Sequence, residues 1–378
     1  MKRIYLDNAA STPMTPEVLD AVQKAMSDFY GNPSSIHAEG RTARSKIEES
    51  RKKIARHFNA SIGEIFFTSG GTESNNTALK CAVRDLGITR IITTSIEHHA
   101  ITHSVSALQK SGVQAIYLSL DEFGQIELAQ LEDFLKNSPE KTLVSIMHAN
   151  NEIGTINDIV QIADIAEKYG AYMHTDAVQT VGHLPLDLQN IKVHFLSASA
   201  HKFHGPKGVG ILYIRQGVHI KPLLDGGGQE RNMRGGTEAI HNIIGLATAL
   251  DTAIHELDSR SKYIQSLKTY FKNQLAGLHP DIRFNGPPDL SLYTVLSVSF
   301  PAGPKSELLL MQLDMAGVSA SGGSACSSGA EAASHVLQGI NHPLDRKTIR
   351  FSFSHLNTFE EIDQVLQLIH SWYPVEAL

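Results

Sequence analysis

The sequence predicts an α/β protein, a large domain on a mainly parallel sheet followed by a smaller α+β domain. Three observations lead there. Between residues 62 and 215 short apolar runs alternate with amphipathic helical stretches, the pattern of a parallel sheet covered by helices on both faces. After Gly235-Gly236 that alternation stops, and two long helical patterns run to about Leu278 before strands and helices mix. The chain's 378 residues also exceed what one core normally fills. We therefore expect residues 16–250 to form the large domain, and residues 1–15 with 251–378 the small one.

Each element has its own signal. The runs at 65–68, 91–93, 143–147, 172–174 and 195–197 are short and apolar enough for buried strands. Between them Leu79, Ala82, Val83 and Leu86 fall at i, i+3, i+4 and i+7, one stripe of a helix. Ile159, Ile162, Ala163 and Ala166 repeat the stripe, and Gly170 follows as a C-terminal stop. In the second part the spacing predicts strands over 295–300 and 348–353 and helices over 306–315 and 359–372. No internal repeat or low-complexity linker interrupts the chain.

Composition removes several classes of function. The chain is 42% hydrophobic and 19% charged, an ordinary globular balance. Thirty-three Lys+Arg against 39 Asp+Glu give a net charge of −6, which argues against a wide nucleic-acid surface. No apolar run has the length of a membrane span or signal peptide. Only Cys81 and Cys326 are present, too few for a disulfide framework. We expect a cytoplasmic protein with no membrane or direct nucleic-acid partner.

The chemistry follows the strands. In open parallel sheets, ligands bind beyond the carboxyl ends of the strands. After the run at 65–68 comes Ser69-Gly70-Gly71-Thr72-Glu73, whose glycines and free helix-start N–H groups suit a phosphate. The plainer alternative is a helix cap at Thr72 with Glu73 complementing the dipole. Further on stand His148-Ala149-Asn150-Asn151-Glu152, His174-Thr175-Asp176-Ala177-Val178-Gln179 and Ser199-Ala200-His201-Lys202. An acid and a lysine at the ends of core strands each need a partner to stay charged. One ligand would satisfy both. Pyridoxal phosphate has a ring nitrogen for a carboxylate, an aldehyde for a lysine and a phosphate for a helix start. A cofactor-free Asp176–Lys202 ion pair is the alternative, costly to bury.

Nineteen histidines raise the question of a metal. His98, His99, His174, His201 and His204 lie on different strand ends, without the i, i+4 pairing of a helical zinc site, so no resident metal is expected. Cys81 falls within a helix and reads as a small buried residue. Cys326 sits instead in Ser319-Ala320-Ser321-Gly322-Gly323-Ser324-Ala325-Cys326-Ser327-Ser328-Gly329, too small and polar to pack a core. Such a loop can present a reactive group.

From end to end the residues resemble the cysteine desulfurases of the fold-type I, class V aminotransferase group. The resemblance rests on Tyr5-Leu6-Asp7-Asn8-Ala9-Ala10, Gly31-Asn32-Pro33-Ser34-Ser35-Ile36-His37, Gly71-Thr72-Glu73-Ser74-Asn75 and Glu97-His98-His99-Ala100. It continues through Asn150-Asn151-Glu152-Ile153-Gly154, His174 to Gln179, Ser199 to Lys202 and Gly205-Pro206-Lys207-Gly208. Gly226-Gly227-Gly228-Gln229-Glu230-Arg231, Arg234-Gly235-Gly236-Thr237-Glu238 and Ser324-Ala325-Cys326-Ser327-Ser328 complete it. The Ser/Gly loop around Cys326 is similar to that of the iron–sulfur assembly and tRNA-thiolation branch.

The resemblance implies a homodimeric pyridoxal-phosphate enzyme that converts L-cysteine to L-alanine and passes sulfur as a persulfide on Cys326. Lys202 would form the Schiff base, Asp176 would hold the pyridinium nitrogen, and Gln179 would bond the ring hydroxyl. His98 would stack on the ring and move protons, and Asn151 would touch cofactor and substrate. Gly71, Thr72, Ser199 and His201 would hold the phosphate, with Thr237 arriving from the second subunit. Arg350 would clamp the substrate carboxylate, and Asn32 would lie near the substrate. The acceptor would be a cluster scaffold or a tRNA-thiolation enzyme, and Cys326 at most a transient iron–sulfur ligand. Where the family often has Gly-Arg after the Arg350 strand, this chain has Phe353-Ser354-His355. Its C-terminal stretch is short beside relatives that dock a scaffold, which leaves partner choice open. The alternatives are another class V enzyme, such as a selenocysteine lyase or aminotransferase, a cofactor-free adaptor, or a metal hydrolase.

Overall fold

The computed structural model describes residues 3–136, 139–322, 334–343 and 345–372. A short strand β1 (Ile4–Tyr5) and helices α1 (Pro16–Asp28) and α2 (Ala38–His57) come first. The alternating region then gives β2 (Ile65–Thr68), α3 (Gly71–Leu86), β3 (Arg90–Thr93), α4 (His99–Lys110), β4 (Gln114–Tyr117) and α5 (Leu128–Lys136). It continues with β5 (Thr142–Ser145), α6 (Ile159–Lys168), β6 (Tyr172–Asp176), β7 (Phe195–Ser199) and β8 (Gly210–Ile214). These strands form one seven-stranded sheet in the order β2-β8-β7-β6-β5-β3-β4. Only β8 runs against its neighbours; the other pairs are parallel.

Alternate strand residues face opposite layers. Phe67, Ile92, Val144, Met173 and Leu196 join the core under α1, α2, α6 and the later helix α7 (Ile240–His255). Phe66, Ile91, Leu143 and Phe195 join Leu79, Ala82, Ile101 and Val105 of α3 and α4 on the other face. Burial on both faces is why these strands read as continuous apolar runs. Gly170 takes φ +68 just past α6, the left-handed turn its position required.

The remaining chain contributes α8 (Leu257–Leu278), β9 (Arg283–Asn285), β10 (Val295–Phe300), α9 (Pro304–Glu307), α10 (Leu309–Met315) and β11 (Val318–Ser319). It ends with α11 (His335–Gly339), β12 (Lys347–Ser352) and α12 (Phe359–Trp372). β10 pairs antiparallel with β12 and β9, while β1 pairs parallel with β11. A separate core joins Ile4 and Leu6 to Leu267, Phe271, Phe351 and Ile362. Phe271 and Phe351 meet edge to face at 4.9 Å.

Several sequence expectations are corrected. The strand expected over 143–147 spans Thr142–Ser145. The strands expected to end at 174 and 197 continue to Asp176 and Ser199, because sheet pairing carries their polar residues along. The helix expected over 306–315 is two pieces that break at Leu308. β4 and β9 carried too weak a pattern to be read. No described helix is long and apolar enough to cross a membrane.

Candidate active site

Because β8 reverses between β2 and β7, the strands β2, β3, β5, β6 and β7 all point the same way. Their C-terminal ends open into one crevice, which holds a cavity of about 280 Å³. Gly71, Thr72, His98, Asn151, Asp176, Gln179, Ser199, His201, Lys202 and Arg350 all line it. Two predicted residues do not. Thr237 is exposed and lies beside Ser69, Gly208 and Glu230. Asn32 is exposed, and its Oδ1 accepts from the Ser34 N–H at 2.9 Å. Cys326 lies outside the described residues.

Asp176 ends β6 and is 6% exposed. Asn75 Nδ2 donates to its Oδ2 at 2.6 Å, and the Val178 N–H donates to Oδ1 at 2.9 Å. These bonds fix the carboxylate in the cavity wall. Lys202 closes a short turn after β7, and its Nζ donates to the Ala9 and Ala10 carbonyls at 2.6 and 2.9 Å.

The cavity wall expected to hold the phosphate is built from backbone. α3 begins at Gly71 with Gly70 as its cap and no side chain capping it, so Thr72 is not the cap. A Cβ on Gly71 would come within 2.6 Å of Val178 Cγ2. Only glycine lets the helix start approach the cavity this closely. Ser199 and His201 face the same corner, and burial, then the charges of Lys202 and Lys207, push His201 down to about 4. It is thus neutral there, able to donate without adding charge.

His98 caps α4: its Nδ1 accepts from the Ala100 N–H at 3.1 Å, which leaves the ring proton on Nε2. Burial holds it below the ordinary imidazole range against the pull of Asp176. Beside it Glu97 is fully buried, with Oε1 accepting from Thr94 Oγ1 and the Met147 N–H, both at 3.0 Å. Burial pushes Glu97 up to about 8, so it is mostly a neutral acid at pH 7. Sequence reasoning missed this residue and Asn75, although both stood in quoted motifs. It also missed His335, whose ring sits 4.3 Å from that of His99 and lines the cavity.

Arg350 comes from β12, opposite Ser297, with its side chain 2% exposed. Nη2 donates to Asp7 Oδ1 at 2.8 Å and Nη1 to the Asn151 carbonyl at 2.9 Å, while Nε has no partner. The departure after this strand is absorbed locally. Phe353 packs in the second core, and the His355 ring meets His204 edge-on at 4.6 Å. Cys81 is buried, and burial pushes its thiol up to about 11, as suits an inert core residue.

This donor set fits pyridoxal phosphate. The fixed Asp176 carboxylate would suit its ring nitrogen, the Lys202 amine its aldehyde, and the glycine helix start with neutral donors its phosphate. The comparisons agree. The model of the aminotransferase class-V family matches residues 4–365. Cysteine desulfurase IscS of Dictyoglomus turgidum is 45% identical over 374 residues, covering 98% of this chain and 94% of that protein. A solved NifS-like protein superposes with a TM-score of 0.90 at 37% identity, covering 98% of both chains. The structure of SspA in complex with cysteine gives 0.81 at 32% identity, covering 94% of this chain and all (100%) of that one. The chain belongs to the aminotransferase class-V family of pyridoxal-phosphate enzymes.

Proposed function

We propose that this protein is a cysteine desulfurase: L-cysteine enters the crevice, L-alanine leaves, and the sulfur departs as a persulfide on Cys326. The observation that carries the reading is the convergence of Lys202, Asp176, His98 and Arg350 on one cavity. Kinship with cysteine desulfurases along the whole chain supports it. Pyridoxal phosphate, when bound, supplies the electron sink for bond cleavage at the substrate. Lys202 would hold it and take up protons, and Asp176 would keep its ring nitrogen charged. His98, with its proton on Nε2, would cover the ring face and exchange protons with the substrate. The unpartnered Nε of Arg350 receives the substrate carboxylate. The Cys326 thiolate attacks the substrate sulfur; an S–S bond forms as the C–S bond breaks, and the electron pair stays on the substrate carbon, which takes a proton.

Two finer assignments belong to the same proposal. The acceptor is a protein of iron–sulfur cluster assembly or tRNA thiolation, met in the cytoplasm. The enzyme works as a homodimer whose large unit spans residues 16–250, with Thr237 of one copy reaching the cofactor phosphate of the other. Its exposure outside its own cavity is what that role requires. The test is Cys326→Ser, which should bind cofactor and cysteine yet release neither alanine nor sulfide. Mass spectrometry of the unmodified protein after brief cysteine exposure should find the added sulfur on the Cys326 peptide. An adduct on Cys81, or full alanine production by the variant, would sink the proposal.

A further inference from the structure

The segment from Gly226 to Glu238 holds backbone that the cavity itself does not require. Glu230, Arg231 and Asn232 are consecutive non-glycine residues at φ +45, +57 and +66. An L side chain disfavours that region, and three in a row persist only where the surroundings over-determine them. Here they do. The Glu230 carboxylate turns inward to meet Arg51 of α2 in a two-bond pair, each bond 2.8 Å, with both side chains 2% exposed. Glu230 also accepts from the Phe67 N–H, and Arg51 also donates to the Ile65 carbonyl, both at 2.8 Å. Arg231 faces outward to the Ile62 carbonyl and Glu48.

A second tie follows. Arg234 Nε donates at 3.0 Å to Glu73 in the first turn of α3, the helix whose start forms the phosphate cradle. Glu73 accepts in turn from the Ser69 N–H at 2.9 Å. The loop is pinched at its neck, where a Cβ on Gly235 would come within 2.7 Å of Gly226 Cα. The chain leaving this clamp is Gly236, at φ +101, and then the exposed Thr237.

We propose that the Arg51–Glu230 and Arg234–Glu73 pairs form a latch that aims Thr237 out of its own subunit, toward the phosphate held in a partner copy. The inference rests on the paired-subunit reading above and adds the residues that do the aiming. A buried ion pair is a poor source of stability by itself, so its use here is positional. Because Glu73 sits beside Gly71 and Thr72, each latch is keyed to its own subunit's cradle and acts on the other's.

The test uses heterodimers of differently tagged chains in which one chain carries Lys202→Ala, so that a single complete cavity remains. In the first, Glu230→Gln is placed on the Lys202→Ala chain, opposite the complete cavity. In the second it is placed on the chain that owns that cavity. Cofactor retention during dialysis is read by absorbance, alongside the melting temperature. The latch predicts about tenfold faster loss from the first heterodimer and less than about twofold from the second, relative to Lys202→Ala/wild-type. Faster loss from the second, or equal loss from both, is what a merely structural pair would give and overturns the inference. Arg234→Gln in the same two arrangements carries the test if Glu230→Gln does not fold. Thr237→Ala in the first arrangement separates the two ideas. If it has no effect, the paired-subunit reading fails; if it acts while Glu230→Gln and Arg234→Gln do not, only the latch fails.

Discussion

His174 offers a quantitative check on how the sheet treats charge at the site. It lies inside β6, two residues before Asp176, and is fully buried. Its Nδ1 is 2.9 Å from Ser145 Oγ and its Nε2 is 3.1 Å from Ser197 Oγ. Burial pushes it down to about 3, against ~6.5 in an unfolded chain. The unfolded chain therefore binds a proton that the folded one refuses. Stability is fully present above ~6.5 and is lost as pH falls toward 3. Between pH 7.5 and 5.0 the loss is ~1.36 kcal/mol for each of about 1.5 pH units, or about 2 kcal/mol. His174→Gln keeps a donor and an acceptor between the two serines but cannot titrate. At ~2.1 cal/mol/K per residue over 378 residues, the wild type should lose about 2.5 °C more than the variant across that range. Thermal melts at both pH values, at fixed protein and cofactor concentration, measure the difference. The other buried histidines, such as His148 and His204, are common to both proteins and cancel. Equal acid sensitivity of the two proteins would falsify the assignment of a neutral, proton-refusing His174.

Three further outcomes follow from the cavity. Lys202→Ala should abolish alanine formation, whereas Lys207→Ala, exposed beside Gly208, should stay within about twofold of normal; the reverse pattern in an alanine assay overturns the assignment. Asp176→Asn should keep much of its cofactor, by absorbance, yet lose about a hundredfold or more in turnover, since an amide cannot hold the ring nitrogen charged. Near-normal turnover would remove the role given to the carboxylate. Gly71→Ala places a Cβ 2.6 Å from Val178 Cγ2, so cofactor affinity by equilibrium dialysis should fall about tenfold; unchanged affinity would mean the helix start is not the cradle.

Strand ends made most of this site legible. Apolar runs located β2, β3, β5, β6 and β7, and the polar residues just beyond them are the ones that line the cavity. What stayed hidden depends on distant contacts. Nothing local marks Asn75 as the donor that fixes Asp176, 101 positions away. Glu97 reads as an ordinary acid until the structure shows it fully buried under Thr94 and Met147. The strained turn at Glu230 was invisible because it needs Arg51, 179 positions earlier, to hold it.

The N-terminal segment joins the two parts of the site. β1 pairs with β11, and Asp7 bridges to Ser352 while its carboxylate holds Arg350. Two and three residues later the Ala9 and Ala10 carbonyls hold Lys202, and Gln179 Nε2 donates to the Ala9 carbonyl at 3.0 Å. Thr12 then bonds the His201 carbonyl through both its N–H and its hydroxyl. One short stretch thus touches both the Arg350 guanidinium and the Lys202 amine. These cations belong to different cores, Arg350 to the β10–β12 sheet and Lys202 to the seven-stranded one. A shift of one core against the other must move or break these bonds, so the spacing between Arg350 and Lys202 is set by the short backbone stretch from Asp7 to Thr12 as well as by core packing. The demand falls on backbone carbonyls at Ala9 and Ala10, where small side chains leave room for Lys202 and Gln179 to reach them.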